Sequence, residues 1–143
     1  MLFSRRVPAV FALILLFNGC SNDPLGRHAI SGAVKVDGAP LAKGNIGFHP
    51  TDGQPTSGGS AVTDGKYSVP RDGGLVVGKY RVVINAAVPG AAGKSDVEVL
   101  PGDPPPPPKE MIPSNWNRES TQTIEVKKEG PFVFDFDVQT KKK

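Results

Sequence analysis

Ile30-Ser31-Gly32-Ala33-Val34-Lys35-Val36-Asp37-Gly38 is a short strand running into a tight turn. Side chains alternate along a strand, so Ile30, Val34 and Val36 share one face. Asp37-Gly38 then supplies the positive φ angles that a two-residue hairpin turn needs. The pattern repeats at 60–69, where two brief runs flank Asp64-Gly65. Between them, 44–49 reads as a strand with Ile46 and Phe48 inward. The stretch 79–87 turns Tyr80, Val82 and Ile84 inward and Arg81 and Asn85 to water. Thr121–127 and 132–138 are predicted to close the domain, joined by Lys128-Glu129-Gly130-Pro131. In the last of these, Phe132, Phe134, Phe136 and Val138 point one way, and the three phenylalanines are expected to dominate the core. Asp135 and Asp137 point the other way, onto a wet face or toward Lys127 and Lys79.

Composition agrees with this all-β reading. Gly (17) and Pro (15) exceed a fifth of the 143 residues, and both are poor in helix interiors. No stretch shows helix periodicity with caps. Seven or eight short strands point to one Greek-key β-sandwich over 28–140. Its least regular part is a Pro-rich insertion near 101–119, preceded by a short predicted strand at 96–100. The five prolines at 104–108 cannot join a ladder and read as a stiff polyproline II spacer.

The N-terminus reads as an address. Arg5 and Arg6 precede an apolar run at 7–17, eleven residues interrupted only by Pro8. A membrane span needs roughly 20 apolar residues, so this run is a signal core instead. Asn18-Gly19-Cys20 follows, and Cys20 is the chain's one cysteine, unable to form an internal disulfide. The stretch 15–20 resembles the lipobox of bacterial lipoproteins, with Phe17 and Asn18 standing where leucine and a small residue are usual. That resemblance implies a signal peptide at 1–19, acylation of Cys20 and a lipidated tether at 20–27. Ser21 after the cysteine, rather than Asp, favours the outer over the inner membrane. Once Arg5 and Arg6 leave, the 17 basic residues fall to 15 against 14 acidic ones, which gives no footprint for nucleic acid.

Three motifs along the mature chain carry a second resemblance. They are 30–41, with its strand, turn and Pro40-Leu41; Thr63-Asp64-Gly65-Lys66-Tyr67; and Gly78-Lys79-Tyr80-Arg81-Val82. In this order they are similar to carboxypeptidase regulatory-like (transthyretin-like) domains. The end, Ile112-Pro113-Ser114-Asn115-Trp116 with Ser120-Thr121, resembles a bacterial lipoprotein branch of them, Trp116 replacing the usual Tyr. The resemblance implies a seven-stranded prealbumin-like sandwich and a non-catalytic structural or interaction module of the envelope.

No enzyme, cofactor or metal site emerges from the residues. His28 and His49 have no Gly-x-Ser-x-Gly elbow to serve, and two histidines with one lipidated cysteine lack zinc-ligand spacing. The Asp-Gly pairs at 37–38, 52–53, 64–65 and 72–73 read as turn formers rather than calcium ligands. Trp116, flanked by Asn115 and Asn117, has two readings: an edge plug of the sandwich, or a platform for a glycan or other ligand. The expected partners are a membrane, through the N-terminal lipid, and an envelope protein or glycan.

Overall fold

A computed structural model describes residues 23–89 and 109–140. The signal segment with Cys20, the predicted strand at 96–100 and the proline run at 104–108 lie outside the described residues.

The Asp-Gly pairs do what their chemistry demands. Asp37 and Gly38 have φ of 51° and 84°, and Asp64 and Gly65 have 50° and 73°, positive at both central positions. The first turn joins β1 (Ile30–Val36) to the two-residue β2 (Ala39–Pro40), and the second joins β4 (Gly58–Thr63) to β5 (Lys66–Val69). β3 (Lys43–Pro50) lies between β4 and β6 (Gly78–Asn85), and β7 (Thr123–Val126) pairs with β6. The result is a curled eight-stranded sheet in the order β2-β1-β5-β4-β3-β6-β7, with β8 (Phe136–Val138) running parallel to β1. Single 3₁₀ turns at Arg71–Gly73 and Ser114–Trp116 were not expected from the sequence. Among the described residues no helix is long and apolar enough to cross a membrane.

The inward faces fall largely where alternation puts them. Ile30, Val34, Phe48, Tyr80, Val82 and Ile84 are fully buried, Ile46 nearly so, and Arg81 is exposed. Asn85 is half-buried instead of facing water. Leu75 also reaches 0% exposure from an irregular link, because it exchanges backbone hydrogen bonds with His28 (2.8 and 3.1 Å).

The C-terminal segment departs from its prediction. Only Phe136–Val138 forms a regular strand, and Phe132, Phe134 and Phe136 are half-buried, packed against the core rather than dominating it. The cause lies at Asp135. Ser31 donates to the Phe132 carbonyl (3.0 Å) and Phe134 donates back to Ser31 (2.9 Å), as a parallel ladder requires. The next rung would carry the Ala33 N–H to the Phe134 carbonyl, but it goes to Asp135 Oδ1 at 2.7 Å. The Phe134 carbonyl instead accepts the Tyr67 hydroxyl at 2.8 Å. Asp137 Oδ1 likewise accepts the Gly38 N–H (3.2 Å), so both aspartates bind the backbone of β1 and its turn rather than lysines.

Tyr67 is 3% exposed, and burial, aided by the charge of Asp135, raises its phenol well above the ordinary value of 10.0. A pKa raised by folding favours the protonated form of the native state. The stability it contributes is complete below pH 10.0 and declines as pH rises above that value. Tyr67→Phe is therefore expected to cost about 1–2 kcal/mol near neutral pH, through the lost hydrogen bond. It should also flatten the alkaline fall in stability, read by denaturant melts between pH 8 and 11. An unchanged alkaline slope in the variant would refute the assignment.

The strands define two poles. The chain enters at Asp23–His28 beside the 70–77 link, the start of β6 and the 127–131 turn. The opposite pole carries the 37–38 and 64–65 turns, the start of β3 and the end of β6. Eight residues of β6 at about 3.3 Å each separate them by about 25 Å.

Candidate functional site

Among the described residues a groove opens at the pole opposite Asp23–His28. It has a volume of about 920 Å³ and is lined by 41–45, 61–64 and 85–89 together with Glu110 and Met111. Leu41, Val62 and Ala86 are the buried apolar residues among its walls, and Lys43, Asp64 and Glu110 are its charged ones. The turn geometry places these groups. Gly65 donates to the Leu41 carbonyl (2.7 Å) and Asp64 to that of Ala42 (3.0 Å), which welds the β4–β5 turn to the residues before β3.

Glu110 builds the other wall. A single carboxylate oxygen accepts the N–H groups of Ala86 (2.8 Å), Met111 (3.1 Å) and Ile112 (3.0 Å). This staple fixes 109–112 against the end of β6, reinforced by Met111 donating to the Ala86 carbonyl (2.7 Å). The groove contains no histidine or cysteine, and the carboxylate of Glu110 is committed to backbone. The arrangement is an apolar floor with polar edges, a lining that holds what it binds by burial and a few hydrogen bonds. Leu41, Thr63, Asp64 and Asn85 figured in the sequence reading only as strand and turn residues, and none of the lining was singled out as a binding site. The groove is assembled from chain segments distant in sequence, and its small residues, Ala86-Ala87 among them, carry no motif.

The residues singled out from the sequence lie elsewhere. Cys20 is outside the described residues. Asn115 and Trp116 sit on the 3₁₀ turn Ser114–Trp116, and Asn117 follows it. Trp116 is half-buried, packs against the core and meets the Phe136 ring edge-on, at 6.2 Å between centroids and 77° between planes. Asn115 is exposed, while Asn117 is buried beside a small hollow of about 340 Å³ that also touches Glu110 and Arg118. Ser120 closes this region, its hydroxyl donating to the Val82 carbonyl. Trp116→Ala is expected to cost about 2 kcal/mol, less than a fully buried aromatic, because part of the ring faces solvent. Thermal melts check this, and an unchanged Tm would assign the ring to surface recognition alone.

The two histidines stand apart. His28 stacks on Phe132, 4.3 Å between centroids and 12° between planes, and His49 lies exposed on β3. Among the described residues no three His, Cys, Asp or Glu side chains gather as a metal site would require. Compared with protein-family models, with curated proteins and with solved structures, the chain matches none of them.

Proposed function

We propose that this chain is an exported, non-catalytic lipoprotein: cut before Cys20, acylated on that cysteine, and held at the cell envelope as a structural or protein-interaction module. The observation that carries the reading is polarity. Asp23, at one pole, is the third residue after Cys20, and the groove of about 920 Å³ opens at the other. Three extended residues reach about 10 Å, so a lipid on Cys20 would hold the first pole close to the membrane and turn the groove away from it, toward an envelope partner. Ser21 after the cysteine favours the outer membrane.

The finer fold reading belongs to the same proposal. A prealbumin-like Greek-key sandwich, of the carboxypeptidase regulatory-like kind, is supported by the order of the three motifs. It is also supported by the way β1 divides its pairing. Ile30–Ala33 pair with β5, whereas Val34–Val36 pair with β8 and Lys35 and Val36 with β2. Such a strand can serve two layers.

With 1–19 replaced by an export signal whose removal needs no acylated cysteine, Cys20→Ala is expected to move the protein from the membrane pellet to the soluble fraction of its native host. Acylation is the only firm anchor in this account, each buried CH₂ contributing about 0.8 kcal/mol. A variant that still pellets with membranes through a high-salt wash would overturn the reading.

A further inference from the structure

The pole that holds Asp23–His28 groups exposed aliphatic side chains with cations. Among the described residues three large hydrophobic side chains are exposed: Leu25 (51%), Val77 (51%) and Val133 (60%). Two of them, Leu25 and Val77, border one shallow cleft of about 520 Å³. Arg27, Arg71 and Lys128 also line it.

Arg27 is held in place. It pairs with Asp23 at 2.8 Å and donates to the Asp72 carbonyl, so it ties the emerging chain to the 71–73 turn. Asp72 turns its carboxylate back onto the Gly73 N–H (3.0 Å). Beyond the Asp23–Arg27 pair the charged residues that line the cleft are Arg71 and Lys128, both exposed, while Asp72 and Glu129 lie in the same segments outside its lining. Three separate chain segments, 23–28, 71–77 and 127–131, are thus brought together to set two exposed aliphatic side chains among cations.

We infer that this face docks on an anionic phospholipid surface, Leu25 and Val77 entering the interface while Arg71 and Lys128 meet headgroup phosphates. The inference rests on the lipid-anchored reading above, and distance selects the occupant. Leu25 is five residues from Cys20, within about 17 Å of the anchor even when the chain is fully extended. A protein partner would have to compete for a face that the anchor already holds against the bilayer. Apolar side chains ringed by Lys and Arg are the composition that interfacial binding uses. Docking would restrict the module to one orientation and leave the opposite groove outward.

The test uses the full acylated protein in vesicles. Acylation consumes the chain's one cysteine, so Val77→Cys introduces the sole free thiol for an environment-sensitive nitrobenzoxadiazole label. A matching label at Ala42→Cys, exposed at the far pole, is the reference. In vesicles of phosphatidylcholine and phosphatidylglycerol at 7:3, the Val77 label is expected to shift to shorter wavelength and to resist iodide quenching several-fold better than the Ala42 label. The protection should fall in pure phosphatidylcholine. It should also fall in the Arg71→Glu/Lys128→Glu variant, by about fivefold for each cation lost. These surface changes leave the core intact, and a circular dichroism melt checks that they do. Protein that floats with the vesicles while its Val77 label stays as quenchable as the Ala42 label overturns the docking face and leaves the anchor standing. Protein without acyl mass that fails to float overturns both.

Discussion

Gly32→Ala is expected to destabilise the domain by about 3 kcal/mol, lowering Tm by on the order of 15 °C. A Cβ at this position would stand 1.9 Å from the Phe134 carbonyl oxygen, 2.7 Å from its carbon and 3.0 Å from Tyr67 Cε1. Backbone cannot yield as a flexible side-chain tip can. The Phe134 carbonyl lies there because Asp135 takes the Ala33 N–H, which leaves that carbonyl for the Tyr67 hydroxyl. Moving it away would break the Tyr67 bond and leave two polar groups without partners in a part-buried place. The cost therefore combines overpacking with a lost hydrogen bond. Denaturant melts of the two proteins measure it, and a difference below about 0.5 kcal/mol would mean that the segment does not close over Gly32 in this way.

Phe48→Ala should cost about 3–5 kcal/mol, and Phe134→Ala about half as much. The Phe48 ring is fully buried in the middle of β3, between β4 and β6, with the Tyr67 ring 5.9 Å away. Its removal leaves a cavity bounded by sheet on both sides, with little freedom to collapse. Phe134 is half-buried at the edge, where its loss opens toward water. The same pair of chemical melts reads both variants. Equal costs would restore the C-terminal aromatics to the central place that alternation alone assigned them.

This contrast marks where the sequence was legible. Asp37-Gly38 and Asp64-Gly65 could be read directly because their effect is local: positive φ at two neighbouring residues fixes a hairpin whatever lies beyond it. The inward faces of β3 and β6 were equally readable, since alternation over six or more residues has one interpretation beside a core. Alternation at 132–138 gave the correct faces but not the ladder. Its partner β1 lies about a hundred residues earlier, and the pattern of apolar side chains does not say that Asp135 will replace a carbonyl in the pairing. Leu75 was missed for a related reason, since its burial follows from an isolated pairing with His28 and not from any periodic pattern.

The candidate sites divide in the same way. The proposed export signal rests on linear layout alone, which is why Cys20 was singled out without reference to a fold. The groove is the product of four chain segments meeting at one pole, and no one of them has a composition that announces it. Trp116 was conspicuous as the chain's one tryptophan, and its position against Phe136 gives it a packing task that chemistry alone could not separate from recognition.

The central claim, that lipid on Cys20 makes this a membrane-tethered module, is tested most directly by intact mass spectrometry of the protein from the membrane fraction of its native host. The account predicts a chain beginning at Cys20, with residues 1–19 gone and the mass of a diacylglyceryl group added. A chain carrying an unmodified Cys20 thiol would contradict it.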